Sequence, residues 1–265
     1  MENAPSREVL QTAVFVLLLV AMATWEHVAP RRPRAPGRLH RWAINLGLAL
    51  ACTGLLRIAL PFALVGAARI AEASDFGLLR WLGVPEPLAF VLALVAMDFA
   101  IWAQHVAMHR VPAFWRLHRI HHADIDIDTT TGVRFHPFEA LVSMLWKMAV
   151  AALLGAGPIA VAAYEAMLLA LALFNHANIA WPSAVEARLR LVLVTPDMHR
   201  IHHSTHRAET DSNYGNTLSI WDRIFGTYVE EPVGGQLGLR IGLDELREPQ
   251  ELKFWSILMR PLRGD

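Results

Sequence analysis

Residues 87–122 read PLAFVLALVAMDFAIWAQHVAMHRVPAFWRLHRIHH, and the reading of this stretch decides the fold. Its first 18 residues, up to Gln104, are apolar except for Asp98, and a helix of that length approaches the ~30 Å of a hydrocarbon core. The histidines begin where the apolar run ends, with His105 and His109, then His118, His121 and His122. The spacing predicts a transmembrane helix that delivers imidazoles to one membrane surface, rather than an amphipathic helix of a soluble bundle.

Similar runs flank it. Residues 9–25 (VLQTAVFVLLLVAMATW) and 42–66 (WAINLGLALACTGLLRIALPFALVG) read as spans, the second interrupted by Arg57 and Pro61. Residues 140–175 read as a pair broken at Gly155-Ala156-Gly157-Pro158, short for two full spans and compatible with a shallow hairpin. The expected fold is therefore all-α and integral to the membrane, with about four transmembrane helices, or three plus a shallow helical hairpin.

The loop 26–41 holds Arg31, Arg32, Arg34, Arg38 and Arg41 against the single acid Glu26, which places it in the cytoplasm. A cleaved signal peptide ending at Ala21-Met22-Ala23 would have exported that loop, so the first segment reads as a retained span with its amino terminus outside. Following the chain from there, 67–86 lies outside. Apart from His27 and His40 in the loop itself, the other 11 of 13 histidines come out on the cytoplasmic side. Trp25, Trp42, Trp81, Trp102, Trp115, Trp146 and Trp181 are expected to form an aromatic belt.

Composition agrees. Of 265 residues 54% are hydrophobic and 18% charged, against about 25% charged in soluble domains, and mean hydropathy is +0.33. The 24 basic and 24 acidic side chains cancel, leaving no field for gripping nucleic acid. The single cysteine, Cys52, excludes an intrachain disulfide framework, a thiolate metal cluster and a C-x-x-C-H haem site.

Three histidine clusters have helical ligand spacing: His105-Val-Ala-Met-His109, His118-Arg-Ile-His121-His122 and His199-Arg-Ile-His202-His203. Residues i, i+3 and i+4 share a helix face, so each cluster can aim its rings at a common centre. A lone HxxxH is weak, but a second HxxHH by chance is very improbable, since each start matches with odds of about one in ten thousand. Eight imidazoles exceed the four ligands of one zinc, so two metals are implied, and without HExxH a zinc metalloprotease lacks its general base. Imidazole suits iron, zinc, copper and nickel alike. Two irons in an all-nitrogen shell are suited to oxygen activation against an inert C–H bond. The competing class is a redox-silent membrane zinc protein, a hydrolase or a metal carrier.

These motifs, with Arg134-Phe135-His136-Pro137-Phe138-Glu139, Asn175-His176-Ala177-Asn178, Asp211-Ser212-Asn213-Tyr214-Gly215-Asn216 and Trp221 to Tyr228, resemble the fatty acid hydroxylase and sterol desaturase superfamily over about residues 90–228. The resemblance implies a helical bundle capped by a cytosolic helical lid that holds a dinuclear iron centre over a lipid tunnel. It implies His105, His109, His118, His121, His122, His199, His202 and His203 as ligands, with His176 matching a further ligand of some members. The fatty acid 2-hydroxylase branch carries another histidine four residues on, where this chain has Ala180. His136 stands between ligand, orienting group and structural residue, and Glu139, Asp197, His206 and Asn213 are expected behind the ligands. Asp124, Asp126 and Asp128 read as a solvated loop, the alternative being acceptors for ligand imidazoles.

The expected activity is hydroxylation or desaturation of a lipid with O2 as co-substrate and two iron ions as cofactor, zinc being a plausible occupant as purified. These 265 residues hold no GxGxxG after a strand, haem motif or cysteine cluster, so electrons are expected from a separate ferredoxin, rubredoxin or cytochrome-type donor. The organisation expected is 1–86 as N-terminal spans with the Arg-rich loop, 87–228 as the catalytic domain, and 229–265 as a polar tail. In the tail, Phe254, Trp255, Ile257 and Leu258 form an amphipathic piece for the membrane surface or for packing. The expected location is the cell (inner) membrane, with the active site facing the cytoplasm.

Overall fold

The computed structural model describes residues 7–61 and 63–263. The extreme amino terminus, expected outside the cell, falls outside the described residues. Among those described there are helices and three isolated β-bridges but no strand. The elements that position the site are α1 (Arg7–Val28), α2 (Arg38–Ala59), α3 (Ala63–Ala73), α4 (Glu86–Arg110), α5 (Pro112–His122), α6 (Pro137–Leu154), α7 (Pro158–Asn175), α8 (Pro196–His202) and α9 (Phe254–Met259).

Proline sets several of these starts. Pro112, Pro137, Pro158 and Pro196 each occupy the first helical position, where a missing N–H loses no bond and the fixed φ suits a helix. Pro61 does the opposite. The run read as one span over 42–66 ends at Ala59, because proline cannot donate to the preceding turn, and α3 starts afresh at Ala63. Leu64 and Ala68 of α3 are buried with Ala151, Ala160 and Tyr164 of the α6–α7 hairpin. Residues 67–73, expected outside, are thus a helix of the bundle. The hairpin turns at Gly155 (φ 69°), where the chain meets Gly77 so closely that a Cβ on Gly77 would lie 2.2 Å from the Gly155 Cα.

Among the described residues five stretches are long and apolar enough to cross a membrane: Val9–Val28, Arg38–Trp81, Glu86–Arg110, Pro137–Leu154 and Pro158–Asn175. Their outer faces carry large exposed apolar side chains such as Leu17, Leu50 and Ile159, the surface a lipid solvent requires.

The C-terminal ends of α1, α4 and α7 and the N-terminal ends of α2 and α6 gather at one end of the bundle, under a cap formed mainly by α5, the loop 123–136 and residues 177–246. Buried ion pairs bolt the two together. Arg41 of α2 donates to both oxygens of Asp124 (2.6 and 2.9 Å) and to Asp128 (3.0 Å), and Asn45 donates to Asp124 (3.0 Å). Glu26 of α1 accepts from the backbone N–H groups of Thr129 and Asn178 (2.7 and 2.9 Å). Asp124, Asp126 and Asp128 are therefore neither solvated nor bonded to a ligand imidazole; they are buried under Arg41. On the other flank, Asp222 takes Trp102 Nε1 and the Tyr214 and Gly215 N–H groups, and Asp98 of α4 takes Trp221 Nε1. In the tail, Ile257 of α9 is buried against Ile44, Leu48 and Ile120, with Phe254 and Leu258 beside it, while Trp255 points outward.

Candidate metal centre

The cap brings together all nine histidines expected as ligands. They sort into two groups: His105, His109, His118, His122 and His202 in one, and His121, His176, His199 and His203 in the other, the ligand atoms of each lying within 4.8 Å of one another. The sorting differs from one centre per motif. At about 100° per residue, the first and last positions of HxxHH are 40° apart around the helix, and the middle histidine is 100° from the last. His118 and His122 accordingly enter one group and His121 the other, and His199 and His203 enter one and His202 the other. Each HxxHH helix lies between the two groups and feeds both.

The opposite nitrogens explain why the rings point inward. Nδ1–H donates to the carbonyl of Tyr214 from His105 (2.7 Å), of Arg134 from His121 (3.1 Å), of Ala172 from His176 (2.7 Å) and of Ser212 from His202 (2.7 Å). His118 Nδ1–H donates to Glu139 Oε1 at 2.6 Å, and His109 Nδ1–H faces Asp211 Oδ1 at 3.3 Å. Carbonyls only accept, so Nδ1 carries the proton and the neutral ring is left with a bare lone pair at Nε2.

Those lone pairs then face each other. His105 Nε2 lies 3.0 Å from both His118 Nε2 and His202 Nε2, and His176 Nε2 lies 3.1 Å from His121 Nε2, 3.1 Å from His199 Nε2 and 3.2 Å from His203 Nε2. No hydrogen-bond scheme satisfies one nitrogen facing three others, whereas a cation does. Two nitrogens each about 2.1 Å from a shared ion and at right angles to one another are about 3.0 Å apart. The donor set thus fits a bound metal in each group, and the buried His109 Nε2, His199 Nδ1 and His203 Nδ1 have no hydrogen-bond partner within the protein.

Burial, reinforced by neighbouring imidazoles, pushes His121, His122, His199 and His203 far below the ordinary histidine range, and burial takes His176 down to about 4 and His202 to about 3. All are neutral at physiological pH, the state in which imidazole ligates.

The residues expected behind the ligands divide. Glu139 touches His118. His136 is not among the grouped imidazoles: its Nδ1 caps α6 by accepting from Phe138 N (3.2 Å), and its Nε2–H donates to the Leu258 carbonyl (3.0 Å). Asp197 pairs with Arg31 and Arg200 and not with an imidazole. Asn213, in the left-handed region at φ 48°, ties the Met198 carbonyl to Val229 and so braces α8 through its backbone. The side chain of His206 is exposed. Trp115, expected in the interfacial belt, lies in the cap beside His109, His118 and His122 with Arg207 stacked over it. Trp102 is buried on Asp222.

Sequence reasoning missed the carbonyls of Arg134, Ala172, Ser212 and Tyr214, which no residue type announces. It also missed Gly132, where a Cβ would lie 2.5 Å from the Ala172 carbonyl oxygen and 3.2 Å from His176 Nδ1.

A cavity of about 780 Å³ runs from the rings of His105, His118, His121, His176 and His199 into the bundle between α1, α2, α4, α6 and α7. Its walls are mostly apolar, with Leu56, Ile101, Met108, Phe135 and Leu168 among them. That volume lies in the range of small-molecule and cofactor pockets.

A helical bundle fit to cross a membrane, closed by a polyhistidine cap over an apolar cavity, defines the class of membrane proteins with a histidine-rich metal site. The fatty acid hydroxylase family matches residues 90–227, just over half of the chain, and the chain belongs to that family. It is 34% identical over 149 residues to ornithine lipid hydroxylase OlsE of Rhizobium tropici, covering 55% of this chain and 44% of the relative. To human alkylglycerol monooxygenase it is 29% identical over 169 residues, covering 64% of this chain and 37% of the relative. To human cholesterol 25-hydroxylase it is 25% identical over 141 residues, covering 53% and 50%. The chain spans half or less of the length of these relatives. No solved structure matches it significantly.

Proposed function

We propose that this protein is a membrane-bound di-iron oxygenase that hydroxylates or desaturates a lipid, using O2 and electrons from an external donor of the ferredoxin, rubredoxin or cytochrome type. The observation that carries the reading is the convergence of bare Nε2 lone pairs in two groups at the inner end of an apolar cavity. The names of the relatives, a lipid hydroxylase, an alkylglycerol monooxygenase and a cholesterol hydroxylase, support a lipid as the substrate. When bound, a pair of irons supplies activation of O2 for attack on an unactivated C–H bond.

The chain does the rest. His105, His109, His118, His122 and His202 hold one metal and His121, His176, His199 and His203 the other, while Glu139 and the backbone carbonyls fix ring tautomer and direction. The apolar cavity excludes water and aligns the chain of the substrate with the histidine end. We place the protein in the cell (inner) membrane with the cap in the cytoplasm, where a soluble donor reaches it; the arginines of loop 26–41 at the cap end support this orientation.

The test is lipidomics of a deletion strain, complemented by the wild type or by His202→Ala, together with oxygen uptake by iron-loaded protein given a competent donor. Loss of one oxidised lipid, restored only by the wild type, is expected. An unchanged lipid profile together with no lipid-dependent oxygen uptake would refute the reading.

A further inference from the structure

Arg57 interrupts the apolar run of α2, and the histidine site makes no use of it. Ala49, Cys52, Thr53 and Leu56 of that helix line the cavity, at spacings of three and four residues that put them on one face, and Arg57 follows Thr53 by one turn. Arg57 therefore continues the cavity face. It is exposed and lines a second groove with Thr12, Ala13, Val16, Leu17 and Val20 of α1, a stripe beside the α1 residues Leu10, Gln11 and Val14 that line the cavity. Groove and cavity thus adjoin in the cleft between α1 and α2.

That cleft is where the cavity meets lipid. Most of the cavity wall is buried or half-buried; the exposed residues are Leu10, Gln11 and Val14 of α1, Thr53 of α2 and Ala166 of α7. The α1 helix is the loosest wall. Only 6% of the stretch Val9–Val28 is buried, the least of the five apolar stretches, while the bonds of Glu26 to Thr129 and Asn178 fix its cap end.

A guanidinium keeps its charge, and an ionisable side chain within an apolar span is costly unless it meets a counter-charge or water. Among the described residues the groove offers Arg57 no carboxylate, only apolar side chains and Thr12. The counter-charge has to arrive with whatever fills the groove. A small hydrated anion would leave the apolar wall bare, and a neutral lipid would leave the guanidinium unpaired. An anionic lipid meets both.

Resting on the reading of the cavity as a lipid site, we infer that the cleft between α1 and α2 binds a bilayer lipid with an anionic head group. The phosphate or carboxylate oxygens pair with Arg57, and a hydrocarbon chain passes between Val14 and Thr53 into the cavity. Cys52 Sγ donates to the carbonyl of Phe135, whose ring stacks 4.8 Å from that of His121, so Arg57, five residues on, holds the head group about 8 Å of helix rise from that level. Arg57 is a positioning and specificity residue at the entrance, away from the reacting atoms.

The test uses the full chain in dodecyl maltoside and displacement of tritiated dipalmitoyl phosphatidate by unlabelled dipalmitoyl phosphatidate, dipalmitoylglycerol or inorganic phosphate. Phosphatidate is expected to displace at about tenfold lower concentration than the uncharged diacylglycerol, the worth of one charge-assisted bond, and inorganic phosphate at that concentration to displace nothing. Arg57→Gln removes the preference and Arg57→Lys keeps most of it. Arg69→Gln, an exposed arginine of α3 outside the cleft, leaves it intact. A phosphatidate carrying a diazirine at the end of one acyl chain should attach to Ile101, Leu168 or Leu169 inside the cavity in the wild type, and should lose that attachment in Arg57→Gln. Equal displacement by both lipids, displacement by inorganic phosphate alone, an equal effect of Arg57→Gln and Arg69→Gln, or attachment confined to the outward residues of α1 overturns the inference. Charge-selective binding with the chain inside the cavity but no iron-dependent lipid oxidation refutes the oxygenase reading and leaves the cleft standing; lipid oxidation without charge selectivity does the reverse.

Discussion

Glu139→Gln isolates one contact of the histidine centre. The carboxylate is buried and accepts from His118 Nδ1–H at 2.6 Å, while its other oxygen has no hydrogen-bond partner within the protein. Glutamine keeps an acceptor and nearly the same shape but removes the charge. A charge-assisted bond contributes about 1.5–3 kcal/mol against about 0.5–1.5 kcal/mol for a neutral one, a difference of about 1–1.5 kcal/mol. The new amide also places an unsatisfied donor in a buried site. Together these predict a fall in metal affinity of about tenfold, and Glu139→Ala, which strands Nδ1–H, about a hundredfold. The assay is metal retained per chain against a graded competing chelator. Two groups of ligands predict two release steps, and only the step of the group containing His118 should move. If both steps stay at the wild-type chelator concentration, or both move equally, Glu139 does not act through His118 and the argument fails.

Other changes separate the remaining roles. His176→Ala takes one of four nitrogens from its group, so metal content should fall from about two ions per chain to about one by elemental analysis. Gly132→Ala should reproduce that loss without altering a ligand, because the new methyl displaces the Ala172 carbonyl that orients His176. His136→Ala should keep both metals while lowering stability by about 0.5–2 kcal/mol, the worth of a lost N-cap, read as thermal midpoint. Arg41→Met strands three buried carboxylates and should destabilise by about 3–5 kcal/mol. Burial alone would raise Asp124, but Arg41, helped by Arg134 and Asn45, holds it at about 2 against an ordinary 3.8. Its contribution to stability is present above about pH 3.8 and is lost as pH falls through about 2, so acid unfolding of Arg41→Met should begin at higher pH.

The sequence was most legible where a residue type has one use. Eight imidazoles at i, i+3 and i+4 announce a metal site, and long apolar runs announce helices in lipid. What stayed hidden has two physical causes. Backbone acceptors carry no residue signature, so the carbonyls that set the tautomers of His105, His121 and His202 appear only once the loops after α5 and α8 are folded, and the one that sets His176 lies within α7. Buried charge looks like surface charge in a string of letters: Asp124, Asp126 and Asp128 read as solvated because their partner Arg41 is more than 80 residues away. The sorting of the histidines into groups, in contrast, needs the helix axes, because a motif shows which histidines share a face but not that two groups lie on either side of it.

Loop 26–41 presents a conflict worth testing. Its five arginines carry the orientation argument, yet Arg31 pairs with Asp197, Arg38 with Glu26 and Arg41 with Asp124, while Arg32 and Arg34 donate to the carbonyls of Leu239 and Glu26. In the folded protein little of that charge is free to face lipid headgroups. The positive-inside bias acts during insertion, however, before the acids of the cap have been made, so the nascent loop still presents all five charges. The expected outcome is therefore unchanged: cap inside, Gly77–Gly155 end outside. Cys52 is buried with Sγ donating to the Phe135 carbonyl, which gives a low labelling background. A membrane-impermeant maleimide should label Ser74→Cys, at an exposed position beside that far end, in intact cells, and should label Arg240→Cys, in the cap and 61% exposed, only after permeabilisation. Labelling in the opposite order would mean that the internal ion pairs outcompete the insertion signal, and would move the histidine groups to the other side of the membrane.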